Sequence, residues 1–240
     1  MLLEICANSY QSAENAQISG ANRVELCIDL SNDGITPSDS LLKKVAKKIT
    51  IPVFVLIRPR SGNFIYSEIE FEIMKQNIIL CKNLGYNGIV SGVLNQDNSI
   101  DINRTKELIE LSHPMSFTFH RAFDCINKPK EAISQLIEMG ADRVLTSGQQ
   151  KRAEDGIKLL KELKEIGGKK IIILVGGGIN SNNAKIFKNE GFEEIHASAS
   201  IDIEQTRDNS SFGLTPYTCL LYTSDAADDL LCVDLGGRRI

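Results

Sequence analysis

Short apolar runs alternate with amphipathic stretches along most of this chain. Eight runs are rich in β-branched and aliphatic residues and lack sustained alternation of polar and apolar positions, which is typical of buried parallel strands. They cover residues 2–6, 23–27, 52–57, 88–90, 115–119, 143–145, 171–175 and 194–197. The pattern therefore predicts a parallel sheet whose strands are separated by helices.

The stretches between the strands carry helical signals in residues 41–48, 71–84, 102–111, 130–139 and 157–166. Gly20, Gly85 and Gly140 each follow a predicted helix, where glycine adopts the left-handed cap conformation at little cost. Eight strands alternating with helices in 240 residues predict an α/β protein, a (β/α)₈ TIM barrel. A doubly wound sheet is disfavoured because the first turn, residues 7–9, contains no glycine.

The end of the chain departs from this pattern. Residues 201–218 are polar and aperiodic where a barrel should supply its eighth helix, and the composition changes again after them. We therefore expect a single barrel domain in residues 1–216, with an incomplete or replaced final helix. Residues 217–240 are expected to be a non-native or disordered tail. A divergent final helix, with Leu230 and Leu231 on its inner face, is the alternative.

The net charge of −4 and the pI of about 5.5 argue against nucleic acid or an anionic membrane as partner. The chain has no apolar run long enough for a membrane helix, and its first residues lack a basic leader. Its six cysteines do not suggest a disulfide framework, so we expect reduced thiols and a cytoplasmic location. A barrel lacking its last helix would expose apolar surface, which could favour a homo-oligomer.

Two predicted strands repeat a glutamate–apolar–cysteine pattern, Glu4-Ile5-Cys6 and Glu25-Leu26-Cys27. Residues two apart on a strand point the same way, so each strand offers a carboxylate and a thiol on one face. The offset between the cysteines equals that between the strands, which predicts both thiols at similar height on neighbouring strands. Two cytosolic thiolates would suit Cu(I) better than magnesium or calcium. The alternative is that Cys6 and Cys27 are small buried hydrophobic residues.

Further polar residues follow the third and fifth predicted strands. Arg58 and Arg60 share a face at the barrel mouth, where they would bind a phosphate or carboxylate, or pair with Glu4 and Glu25. His120 ends the fifth strand, where an imidazole can act as a base or a metal ligand. Asp124 is close enough along the chain to orient His120 or Arg121.

Small residues follow the sixth and seventh strands, at Ser147-Gly148 and at Gly177-Gly178. Such turns expose backbone N–H groups, and barrels often bind phosphate after the seventh and eighth strands. These residues are therefore candidates for anion binding, although a glycine run can equally form a close-packed turn. His196 places a second imidazole on the eighth strand.

Several of these strings together resemble the copper homeostasis protein CutC family, in order from residue 2 to about residue 200. They are Leu3-Glu4-Ile5-Cys6, Arg23-Val24-Glu25-Leu26-Cys27, Gly34-Ile35-Thr36-Pro37-Ser38, Ile57-Arg58-Pro59-Arg60, residues 117–124 and Arg143-Val144-Leu145-Thr146-Ser147-Gly148. The resemblance implies a cytoplasmic TIM barrel that handles Cu(I), with Cys6 and Cys27 matching the family's strand-end cysteines. No organic cofactor is expected.

Three functions remain open at this point. In the first, a copper homeostasis protein binds Cu(I) through Cys6 and Cys27, with His120 or His196 assisting. In the second, an enzyme acts on a small anionic metabolite, such as a phosphorylated one. Its anion would be held by Arg58, Arg60, Ser147, Gly148, Gly177 and Gly178, and its catalytic residues would be Glu4, Glu25, His120 and Asp124. In the third, the polar mouth is a buried salt-bridge lattice in a scaffold protein.

Overall fold

The structure, a computed structural model, describes residues 1–198 and the backbone of residues 201–202 and 220–221. Eight parallel strands close into a barrel in chain order, which confirms the predicted TIM barrel. The strands are β1 (Leu2–Ala7), β2 (Arg23–Leu26), β3 (Val53–Leu56), β4 (Gly88–Ser91), β5 (Ser116–Phe119), β6 (Arg143–Thr146), β7 (Ile172–Gly176) and β8 (Glu194–Ala197).

Seven α-helices within the described residues lie between the strands. They are α1 (Tyr10–Ile18), α2 (Asp39–Lys48), α3 (Glu68–Asn83), α4 (Ile102–Ser112), α5 (Pro129–Met139), α6 (Ile157–Gly167) and α7 (Ala184–Asn189). Side chains of Ser9, Ser38, Ser67 and Asp101 accept hydrogen bonds from the first turns of α1 to α4, so each of these helices begins at a capping residue. Gly20, Gly85 and Gly140 have φ of 82°, 79° and 86°, which confirms the predicted left-handed caps.

Alternate strand residues face two different environments. One set, which includes Ile5 and Leu26, packs into the main apolar core together with buried helix residues. The other set faces the barrel interior, where Cys6 and Cys27 form a small apolar cluster with Phe54, Leu56 and Val90. Because Glu4 and Glu25 alternate with Ile5 and Leu26, their carboxylates belong to this interior set and are buried.

The register between β1 and β2 differs from the one predicted. The Cα of Cys6 lies opposite that of Glu25, and Glu4 lies opposite Arg23. Cys27 therefore lies two residues beyond the register partner of Cys6, so the two cysteines are not opposite each other as their equal offsets predicted. The reason is that barrel closure requires a stagger between neighbouring strands, which sequence offsets alone do not reveal.

The backbone of residues 201–202 pairs with that of residues 220–221 in a short antiparallel ladder, β9 with β10. The expected incomplete final helix and the expected character of the tail after residue 216 otherwise fall outside the described residues. Among the helices of the described part, none combines the length and apolar character needed to cross a membrane.

Candidate functional site

A cavity of about 380 Å³ opens where the strands reach their carboxyl ends. Its wall brings together seven residues that the sequence analysis selected, all on five strands or just after them. They are Cys6, Glu25, Cys27, Arg58, His120, Asp124 and His196. Leu30, Leu56, Phe64 and Leu145 add apolar surface to the same wall. Such a mixture of apolar wall and convergent polar groups is typical of ligand-binding pockets.

The two thiols meet on one side of this cavity. The Sγ atoms of Cys6 and Cys27 are 3.6 Å apart, and both side chains are buried. The hydrogen bond between the thiols, together with burial, raises the pKa of Cys6 well above its usual value. Cys6 therefore carries its proton at neutral pH and becomes a thiolate only when a cation replaces that proton.

A carboxylate and an imidazole stand beside the thiols. One ligand atom each from Cys6, Glu25 and His196 lie within 4.8 Å of one another. His196 Nδ1 is 2.8 Å from a Glu4 carboxylate oxygen and 3.3 Å from a Glu25 oxygen. A histidine that holds a metal commonly donates its other ring N–H to a carboxylate, and Glu4 is placed to accept such a bond.

Burial and neighbouring charges give Glu25, Glu4 and His196 different pKa values. Burial raises the pKa of Glu25 to about 7, because the attraction of His196 only partly offsets the loss of water. Burial also raises the pKa of Glu4, but Arg23 and His196 outweigh it and lower that pKa to about 2. Burial lowers the pKa of His196, yet the neighbouring Glu25 and Glu4 raise it overall. Glu4 thus stays ionised at neutral pH, whereas Glu25 titrates near pH 7.

Glu4 belongs to a row of buried ion pairs with Arg23, Glu194 and Arg143, which we call the charged ladder. The sequence analysis did not identify this row. Arg23 forms an ion pair with Glu4 and another, of 2.5 Å, with Glu194. Arg143 pairs with Glu194 at 3.0 Å, and both guanidinium groups stack on the ring of Phe54, 4.6 and 5.3 Å from its centroid. The available signal was that each of these charged residues lies on the inward-facing side of a buried strand.

Arg58 lines the cavity but does not pair with Glu4 or Glu25, the partners considered in the sequence analysis. Its Nη1 donates to the carbonyl oxygens of Asn32 (3.0 Å) and Gly34 (2.8 Å), and its Nη2 donates to that of Gly62 (2.8 Å). The guanidinium carbon lies 5.0 Å from the centroid of the Phe64 ring. Arg58 thus holds two loops together at the cavity wall.

Arg60 does not share the cavity wall with Arg58, so the prediction that both face the mouth is wrong. Its Nε forms a 2.6 Å ion pair with Glu70 in the first turn of α3, and its Nη2 donates to the carbonyl of Ile65. The physical reason is that the chain leaves the strand before Pro59, and alternation of side-chain direction does not continue through a turn.

Asp124 organises the turn after β6 instead of orienting His120. Its carboxylate accepts bonds from Thr146 Oγ1 (2.5 Å) and from the backbone N–H groups of Ser147 and Gln149, and it pairs with Arg121 at 2.8 Å. The N–H of Gly148 donates to Thr146 Oγ1. These donors were expected to bind an anion at Ser147 and Gly148, but internal acceptors already occupy them.

The glycine turn after β7 is not part of the cavity wall. A Cβ added to Gly177 would lie 2.9 Å from Ser147 Cβ, and the carbonyl of Gly178 accepts bonds from two asparagine side chains. Gly177 and Gly178 have φ of 112° and 72°, which a residue with a side chain rarely adopts. The turn is therefore the close-packed alternative that the sequence analysis left open.

His120 is buried in the cavity wall and neutral. Burial, reinforced by the nearby charge of Arg58, lowers the pKa of His120 to about 3. Its Nδ1 accepts a 3.3 Å bond from the N–H of Ala122, so the proton of the neutral ring resides on Nε2. Nε2 is buried and has no hydrogen-bond partner among the described residues.

The fold and the cavity together define a TIM-barrel protein with a thiol-, carboxylate- and imidazole-lined pocket at the carboxyl ends of its strands. The model of the CutC family matches residues 1–201. A CutC family protein of Enterobacter sp. (strain 638) is 46% identical over 198 residues, covering 82% of this chain and 80% of the relative. The chain belongs to the CutC family, which confirms the resemblance seen in the sequence.

Two further relatives carry names that mention copper. The human protein called copper homeostasis protein cutC homolog is 43% identical over 209 residues, covering 87% of this chain and 75% of the relative. A crystal structure of a Streptococcus agalactiae protein described as CutC superimposes with a TM-score of 0.78 at 32% identity. The superposition covers 82% of this chain and 98% of that one.

Proposed function

We propose that this protein binds Cu(I) as cargo between Cys6 and Cys27 and serves copper homeostasis. The observation that carries this proposal is the 3.6 Å separation of two buried Sγ atoms in the wall of an open cavity. Soft thiolate ligands favour Cu(I) among the biological cations. The names of the human and Streptococcus relatives are consistent with this function.

The sulfur separation also indicates how many ligands the ion would have. With metal–sulfur bonds of about 2.3 Å, two sulfurs 3.6 Å apart subtend about 100° at the ion, far from a linear arrangement. A bent pair leaves room for a third ligand, and His196 or Glu25 is close enough to Cys6 to provide it. We therefore include His196 in the proposed site, with Glu4 fixing its orientation.

The test is a Cu(I) titration under reducing conditions in competition with a coloured chelator. The background carries Cys125→Ser, Cys219→Ser and Cys232→Ser, so that among the six cysteines Cys6, Cys27 and Cys81 remain. We expect one tightly bound Cu(I) per chain, lost in Cys6→Ser and in Cys27→Ser. Cys81→Ala is the matched control, because Cys81 is a buried thiol in the main core, away from the cavity wall. Unchanged affinity in both cavity variants would refute the proposal.

One observation favours a second candidate function, proton transfer on a small anionic metabolite. Burial raises the pKa of Glu25 to about 7 in a cavity far larger than an ion needs, and such a carboxyl group can act as acid or base at neutral pH. In this alternative Glu25 moves the proton and Glu4, ionised and paired, does not.

The second candidate is tested by hydrogen exchange at carbon. Carboxylate and phosphate metabolites that raise the melting temperature are incubated with the protein in D₂O and followed by NMR. We expect deuterium to enter at a C–H next to a carbonyl with the parent protein and not with Glu25→Gln. Absence of exchange in every stabilising compound would remove this candidate without affecting the copper proposal.

A further inference from the structure

Arg58 is a buried cation without a compensating carboxylate. Its side chain is 3% exposed, and among the described residues no carboxylate oxygen lies within 4.0 Å of its guanidinium nitrogens. Its hydrogen-bond acceptors are three backbone carbonyl groups, which carry no net charge. The hydroxyl of Tyr66 also interacts with the guanidinium, but burial raises the pKa of this phenol to about 12, so Tyr66 remains neutral and supplies no compensating charge. Buried charges are normally paired, so a missing anion is the simplest explanation.

The guanidinium of Arg58 has five N–H groups, and the three carbonyls do not accept from all of them. The carbonyls accept from Nη1 twice and from Nη2 once, which leaves the Nε–H and a second Nη2–H. Arginine commonly offers two N–H groups together to the two oxygens of a carboxylate or phosphate. Nε is buried without a partner among the described residues.

A second unpartnered donor, His120 Nε2–H, lies in the wall of the same cavity. The charge of Arg58 contributes to lowering the pKa of His120, so the ring is close enough to sense the guanidinium. Phe64 contacts both groups, with its ring 5.0 Å from the guanidinium carbon and 4.8 Å from the imidazole centroid. A neutral histidine and an arginine on one apolar ring form a donor pair suited to an anion.

The other charged groups of the wall do not supply the missing anion. Asp124 is occupied by Arg121, Thr146 and the backbone of the β6 turn. Asp33 is exposed, and no ion pair joins it to Arg58 in the described part of the chain. The cavity holds roughly a dozen waters at about 30 Å³ each, which suits a metabolite-sized molecule.

We infer that Arg58 and His120 form an oxyanion subsite in this cavity, which binds the carboxylate or phosphate group of a small organic molecule. The residues of the subsite follow β3 and β5, whereas the proposed copper ligands lie on β1 and β8 and directly after β2. The inference is therefore independent of whether copper binds.

The test titrates metal-free protein with inorganic phosphate and with succinate, at constant ionic strength, by isothermal calorimetry. The two probes distinguish a phosphate subsite from a carboxylate subsite. We expect one of them to bind once per chain, and Arg58→Lys to weaken that binding about tenfold or more, because the lysine keeps the charge but loses the paired donors. Arg60→Lys is the matched control and should bind like the parent protein, since Arg60 lies outside the cavity wall.

Arg58→Lys could disturb the loops that Arg58 holds, so a second variant fills the cavity instead. Leu145→Phe enlarges an apolar residue of the same cavity wall and leaves both proposed donors in place, so we expect it to weaken the same binding. The inference is wrong if neither probe binds saturably to the parent protein. It is also wrong if Leu145→Phe leaves the affinity unchanged, because the anion then binds elsewhere.

Discussion

Cys6 and Cys27 bring their sulfur atoms within 3.6 Å although they are not register partners. The backbone partner of Cys6 is Glu25, and the N–H of Cys27 donates to the carbonyl of Ala7 at 2.9 Å. The stagger of the barrel therefore places a thiol and a carboxylate side by side in one row, with the second thiol in the next. This arrangement gives the site mixed sulfur, oxygen and nitrogen donors instead of a simple dithiol.

The buried thiols should react slowly with alkylating reagents. Burial and the bond to Cys27 keep Cys6 protonated, and a thiol reacts as its thiolate. We expect iodoacetamide at mildly alkaline pH to label the exposed Cys125 before Cys6, and to label Cys6 only after denaturation. Peptide mass spectrometry over time measures the order. Equal labelling rates for Cys6 and Cys125 in the native protein would contradict the burial described here.

Glu25 should make the folded state less stable as the pH rises from about 4.5 to about 7. The folded pKa of Glu25 lies above its ordinary value of 4.5, so its carboxyl group holds a proton in the folded state that it loses in the unfolded state in this window. The pKa of His120, lowered to about 3, acts in the opposite direction below about 6.5, so the contribution of Glu25 is obtained by comparison with a variant. At about 1.4 kcal/mol per pKa unit, Glu25 contributes at most about 3–4 kcal/mol.

Denaturant unfolding at several pH values measures this dependence. Glu25→Gln should become more stable relative to the parent protein as the pH rises through this window, because the amide does not titrate. The matched control is Glu138→Gln, an exposed position on α5, which should retain the pH dependence of the parent protein. A stability difference between Glu25→Gln and the parent protein that does not change with pH would contradict the raised pKa of Glu25.

Removal of Arg23 should destabilise the barrel strongly. Arg23→Met leaves the buried carboxylate of Glu4 without an arginine partner, whereas Glu194 keeps Arg143, and breaking a buried ion pair typically costs about 3–5 kcal/mol. The double variant Arg23→Met with Glu4→Gln should recover part of this loss, because the charge of Glu4 disappears. Urea unfolding gives the free energies.

The control for Arg23 is Lys106→Met, whose ion pair with Glu110 lies on the surface of α4. We expect little change there, because exposed ion pairs contribute little to stability. A loss in Arg23→Met as small as in Lys106→Met would mean that the charged ladder does not stabilise the fold.

Two glycines with similar backbone angles should differ in their tolerance of alanine. Gly140 and Gly148 have φ of 86° and 70°. A Cβ at Gly140 meets no atom within 4 Å, whereas at Gly148 it would lie 2.4 Å from the carbonyl oxygen of Gly156. We expect Gly140→Ala to cost about 1 kcal/mol from backbone strain and Gly148→Ala about 2–4 kcal/mol, since steric overlap adds to the strain. Comparable losses in thermal unfolding would contradict this description of the β6 turn.

The sequence analysis identified most side chains that line the cavity, but not the residues to which they are hydrogen-bonded or ion-paired. Cys6, Glu25, Cys27, Arg58, His120 and His196 share one cavity because residues two apart on inward-facing strands follow a local rule. We assigned Arg60 and the turns at Gly148 and Gly177 to the barrel mouth because they follow strands along the chain. These residues lie in turns, where the alternation of side-chain direction along a strand does not apply. In a turn, the direction of a side chain depends on neighbours that come from other parts of the chain.

The amino-acid sequence alone determined the strands, the helix caps and the closed barrel, because apolar periodicity and glycine positions act over a few neighbouring residues. The tertiary structure decided the stagger that sets Cys6 opposite Glu25 and the ion pairs of Arg23, Glu194 and Arg143. It also decided that Arg58 is buried without a carboxylate partner. These features arise when distant strands close on one another, and barrel closure constrains all eight strands together.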